Sequence, residues 1–106
     1  MSQREEALHR EEALQKTEKE ILAEKAATLG RAGERLELAL HRCAELREDL
    51  ERARDGVARE GALSRYREAR ARALEARHTL IIQREAIGLR SHRVVDQQFP
   101  EPPVLR

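Results

Sequence analysis

Cys43 is the single thiol of the chain. Nucleophilic or redox work would require an exposed sulfur in electropositive surroundings. Its place in the sequence argues for a different role, because it falls on the same seven-residue grid as Leu22, Leu29, Leu36 and Leu50. A thiol on an apolar stripe is expected to be a small core residue. Of the four histidines, His9, His41, His78 and His92, only His41 and His78 would come to similar heights if the chain folded back on itself. No carboxylate or further cysteine completes a metal-ligand set around them, so no metal or cofactor is expected. Glycine-rich phosphate loops, nucleophile elbows and HExxH spacing are all lacking. The many glutamates would need a water-excluding pocket to become general acids or bases, and a helical rod provides none. The chain reads as non-enzymatic.

Two charged features could serve other chemistry. Arg59, Arg65, Arg67, Arg70, Arg72, Arg77, Arg84, Arg90 and Arg93 make the second half basic. Glu60, Glu68, Glu75 and Glu85 interrupt that series and aromatic residues are almost lacking, so phosphate and base recognition is not expected. A solvated face, or one salt-bridged within a hairpin, is the better expectation. Asp49, Glu51, Asp55 and Glu60 surround a possible turn, with Arg52, Arg54 and Arg59 among them.

The elements that carry these residues follow from composition and period. Of 106 residues, 39% are charged and 2% aromatic, and the apolar fraction is dominated by Ala and Leu. Together with Glu and Arg these are strong helix formers, so long helices are expected in place of a globule. Leu8, Leu22, Leu29, Leu36, Cys43, Leu50 and Val57 lie on one heptad grid, with Gln15 as its polar member. Seven residues make two helical turns, so the grid is one stripe along a rod, the pattern of a coiled-coil seam. Leu40 belongs to a second row beside it.

The spacing predicts a first helix over about 3–54, a turn over 55–61 around Gly56 and Gly61, and a second helix over about 62–93. The stripe of the second segment, Tyr66, Ala73, Leu80, Ile87 and Val94, is two residues out of phase with the first. A chain reversal at the glycines explains that jump, and an antiparallel hairpin of unequal arms follows. A turn centred near residue 58 pairs Leu50 with Tyr66, Cys43 with Ala73, Leu36 with Leu80, Leu29 with Ile87 and Leu22 with Val94. The first arm would be about 80 Å long and the second about 45–50 Å, leaving residues 1–20 unpaired. The expected fold class is therefore all-α, one hairpin over 1–96.

Residues 97–106 differ. Phe99, Pro100, Pro102 and Pro103 exclude helix and favour an extended, polyproline-like conformation. A flexible tail is expected, with Phe99, Pro100, Pro102, Pro103 and Leu105 as a possible short docking motif.

Net charge is +1, shared unevenly: residues 1–55 carry 11 cations and 14 anions, and residues 56–106 carry 10 and 6. No global field draws the protein to nucleic acid or membrane, no apolar run approaches a membrane span, and a cytoplasmic location is expected. Leu38, Leu74, Ile81, Ile82 and Leu89 are apolar residues left over from the seam, and they are expected to form a partner or self-association surface. The expected function is a protein-interaction module, such as an adaptor, stalk or chaperone-like subunit, working by helix-to-helix docking as a homodimer or within a hetero-assembly.

In overall shape, residues 3–94 resemble the coiled-coil stalk proteins of flagellar and type III secretion export gates, which are charged helical hairpins. The acidic residues at the turn are similar to those of coiled-coil fingers that enter the RNA polymerase secondary channel. Both resemblances are architectural and assign no residue a role.

Overall fold

A computed structural model describes residues 2–106. The chain forms α1 (Gln3–Arg52), α2 (Gly56–Ala86) and a short α3 (Arg93–Gln98), followed by an extended segment over 99–106. There is no strand among the described residues. The two long helices pack antiparallel into a rod of 82 × 22 × 15 Å. Its length is close to that of α1 alone, since 50 residues rise about 75 Å.

Local chemistry sets the helix ends. The Ser2 hydroxyl accepts the Glu5 N–H at 3.2 Å, and the Asp55 carboxylate accepts the Ala58 N–H at 2.8 Å. Each satisfies one of the free donors of a first turn. Because Asp55 caps so effectively, α2 begins at Gly56, six residues before the expected start. The reversal then needs only residues 53–55, not 55–61. At the other end α2 stops at Ala86, well short of residue 93. Gly88 takes the left-handed conformation, φ +89°, with its N–H bonded to the Glu85 carbonyl and the Leu89 N–H to the Arg84 carbonyl. This is the Schellman arrangement, and it favours a residue without a Cβ.

The tighter turn keeps the expected pairs Cys43–Ala73 and Leu36–Leu80 within shared clusters and changes other neighbours. Tyr66 joins Cys43, Leu46, Ala69 and Ala73 in one buried cluster, whereas the expected register set it against Leu50. Leu36 and Leu80 do share a cluster, with Ala32 and Val95. In both clusters alanines face larger residues, which lets the helices approach closely. Leu50 and Ala62 are buried near the turn.

The seam is shorter than the heptad grid implies. Leu36, Cys43, Leu50, Tyr66, Ala73 and Leu80 are buried, while Leu29 and Leu40 are half-buried. Leu22 is 65% exposed and Ile87 is also exposed. The cause is the early end of α2: Ile87 is its C-cap, and Leu22 lies beyond its reach. The expected Leu22–Val94 pairing is replaced by burial of Val95 from α3 against the Leu36–Leu80 cluster.

Candidate interaction surfaces: a carbonyl-reading groove and a projecting arm

The extended C-terminal segment is not the free tail its prolines suggest. It returns along the hairpin antiparallel to α2, with Pro102 buried and Phe99 and Leu105 half-buried against the two core clusters. An extended, proline-rich strand cannot pair its own carbonyls, so they need donors from elsewhere. The α2 side chains supply them. The Arg77 Nε donates to the Phe99 carbonyl at 3.0 Å, and the Arg70 Nε to the Pro102 carbonyl at 2.8 Å. The Tyr66 hydroxyl donates to the Pro103 carbonyl, and an Arg59 Nη2 to the backbone oxygen of Arg106 at 2.6 Å. Arg84 donates to the Ser91 carbonyl at 3.2 Å on the approach to α3.

The spacing of these contacts matches two periodicities. From Arg77 to Arg70, and from Tyr66 to Arg59, is seven residues of helix, about 10.5 Å. From Phe99 to Pro102, and from Pro103 to Arg106, is three residues, about 10 Å of extended chain. Two turns of helix thus match three residues of the extended segment. The three residues it buries, Phe99, Pro102 and Leu105, share the same three-residue period and so lie on one side of it.

Side-chain contacts steady the upper end of the segment. Arg77, whose side chain is largely buried, reaches Asp96 and also lies 3.6 Å from Glu101. His92 Nε2 is 2.9 Å from Glu85 Oε1. Between the segment and α1 there remains an open cleft of about 310 Å³, lined by Leu40, Cys43, Ala44, Arg47, Tyr66 and residues 100–103. Burial pushes the Cys43 thiol above its ordinary 9.0, with Arg70 opposing, and the residue is 2% exposed. Burial also raises the Tyr66 phenol above 10.0, so it remains a hydrogen-bond donor at neutral pH.

The arginines of α2 are therefore partly committed to main-chain carbonyls, a role not expected from the sequence. A usable signal is present in it, because Arg70, Arg77 and Arg84 stand on one heptad row. The histidines play local parts: His41 Nε2 lies 3.0 Å from Glu45 one turn on, and His78 is exposed. At the turn, the Asp55 carboxylate is used as a helix cap. Among the described residues, no group of three or more His, Cys, Asp or Glu side chains converges, and no helix is long and apolar enough to cross a membrane.

The leftover apolar residues do not form one patch across the two arms. Leu38 and Ile82 are 71% and 51% exposed. Each is two residues, about 200° of helix, from a buried seam residue, Leu36 and Leu80 respectively. They therefore point away from the seam on opposite outer sides of the rod. Leu89 is exposed beyond the end of α2, while Leu74 and Ile81 are half-buried, Ile81 against the Leu36–Leu80 cluster.

A second surface lies on α1 itself. Residues 2–27 are exposed throughout, and the end of α2 comes alongside only at Glu24 to Thr28. About 20 residues, roughly 30 Å of helix, project past the hairpin. Leu8, Leu14, Ile21 and Leu22 stand on that projection between 49% and 65% exposed. Comparison of the chain with protein-family models, with curated proteins and with solved structures gives no match.

Proposed function

We propose that this protein is a non-enzymatic coiled-coil interaction module, an adaptor, stalk or chaperone-like subunit, that works by pairing helices with a protein partner. The observation that carries this reading is the projecting arm, with Leu8, Leu14, Ile21 and Leu22 exposed on a helix that has nothing packed against it. The arm continues α1 without tertiary contacts of its own, so a partner that covers these residues gains apolar burial. The remaining 30 residues or so of each arm form the rigid handle that holds this segment out. A cytoplasmic location belongs to the same reading and suits a free, buried thiol.

The test is co-purification from the native host with the wild type and with a Leu14→Lys, Ile21→Lys variant. These positions lie on the projecting arm outside both buried clusters, so the hairpin should melt unchanged. Specific partners should be lost from the variant. The same proteins recovered with both would sink the arm as the docking surface.

A further inference from the structure

We propose that the groove between α1 and α2 is a receptor for an extended, proline-containing segment of another protein, and that residues 99–106 are its built-in competitor. This is independent of what covers the projecting arm. The reasoning starts from what the groove reads. All four of its long-range donors, Arg59, Tyr66, Arg70 and Arg77, address main-chain oxygens of the segment. Main-chain recognition requires an extended chain with free carbonyls, a state proline enforces, and Arg77 adds a preference for an acidic residue at the position of Glu101, from which it lies 3.6 Å. Specificity comes from the buried side, where the groove accepts an apolar residue, a proline and an apolar residue three apart, here Phe99, Pro102 and Leu105. This is recognition of an extended, proline-containing segment carried out by a helical hairpin.

The resident segment fills the site incompletely. It leaves the cleft of about 310 Å³ beside Tyr66, between Leu40, Cys43 and Ala44 and its own residues 100–103. It also keeps Pro103 and Val104 facing solvent. A partner segment with a bulkier apolar side chain over that cleft would gain burial that this tail lacks. The tail holds its place through connectivity: the link from α2 is short, and tethering supplies an effective concentration on the order of millimolar. Exchange of tails between copies would recreate the same contacts without that advantage, so a foreign segment is the favoured occupant.

The experiment uses the full chain. A fluorescent synthetic peptide of residues 97–106 is titrated into the wild type and into a Phe99→Ala, Leu105→Ala variant, whose own tail has lost its anchors. The variant should bind the peptide at least about ten-fold more tightly than the wild type, and adding Arg70→Ala should remove about ten-fold of that gain. A peptide carrying Phe99→Ala and Leu105→Ala should not bind. Absence of binding to a variant with unchanged helical circular dichroism overturns the receptor. Equal binding by wild type and variant overturns the competitor. If the double variant loses its helical signal, Leu105→Ala alone is titrated, and collapse of that variant too would make the segment a structural strut and end the proposal. A concentration-dependent wild-type dimer that the peptide dissociates would identify a second copy as the occupant and overturn the foreign-segment assignment.

Discussion

Tyr66 and Pro103 are 37 residues apart in the chain, yet the phenolic hydroxyl of one donates to the main-chain carbonyl of the other. Tyr66 is 1% exposed and is among the largest fully buried side chains. Its ring joins the two long helices in the Cys43–Leu46 cluster, while its hydroxyl fastens the returning segment. One residue thus couples the hairpin to its third strand of chain.

Tyr66→Phe should separate those two roles. The ring packing is kept and one hydrogen bond to a carbonyl is lost, so the expected cost is about 1 kcal/mol. Tyr66→Ala should cost about 3–5 kcal/mol, because it also opens a cavity between the helices. Urea denaturation followed at the helical circular dichroism band measures both. Equal losses would show that the ring contributes nothing beyond the hydroxyl.

Removal of residues 99–106 should destabilise the hairpin by about 2–4 kcal/mol. Full burial of one large apolar side chain contributes roughly 1.5–3 kcal/mol, and this segment provides two half-buried residues, Phe99 and Leu105, besides the buried Pro102. A free tail would change stability by only a few tenths of a kcal/mol. The melting curve of the truncated chain distinguishes the two outcomes.

Alkaline pH should weaken the fold before neutral or mildly acidic pH does. Burial raises the Cys43 thiol above 9.0 and the Tyr66 phenol above 10.0 in the folded state. Between the unfolded and the raised folded value of each group, the native chain binds more protons than the unfolded chain, so stability falls as pH rises. The decline begins near pH 9, where the unfolded thiol ionises, and continues as the unfolded phenol ionises near 10. The phenolate also cannot donate to Pro103. Chemical denaturation between pH 7 and 11 should show this fall, and Cys43→Ser, Tyr66→Phe should flatten it.

Two glycines should respond in opposite directions to alanine. Gly33 lies within α1 with nothing within 4 Å of an added Cβ, so Gly33→Ala should stabilise by about 0.5–1 kcal/mol through helix propensity. Gly88 holds φ +89°, so Gly88→Ala should cost about 1–2 kcal/mol despite equally open surroundings. Thermal melts of the two variants provide the comparison, and a stabilised Gly88→Ala would mean that α2 does not need its left-handed exit.

The heptad row of Leu29, Leu36, Cys43 and Leu50, its phase jump before Tyr66, and the lack of proline through both arms determined the all-α hairpin from sequence alone. These are local properties: helical periodicity places each side chain relative to its neighbours before any tertiary contact forms. The detail of the reversal depended on one competition, in which the Asp55 cap outweighed two nearby glycines and drew the start of α2 back to Gly56. The end of α2 was present in the sequence as Gly88, but an apolar row continuing through Ile87 to Val94 masked it. Only the tertiary structure decided where Phe99 to Arg106 lie. That placement rests on donors and carbonyls far apart in the chain, Arg59, Tyr66, Arg70 and Arg77 against Arg106, Pro103, Pro102 and Phe99. Neither row has meaning alone: seven-residue spacing on a helix and three-residue spacing on an extended chain become a match only when the two are laid side by side.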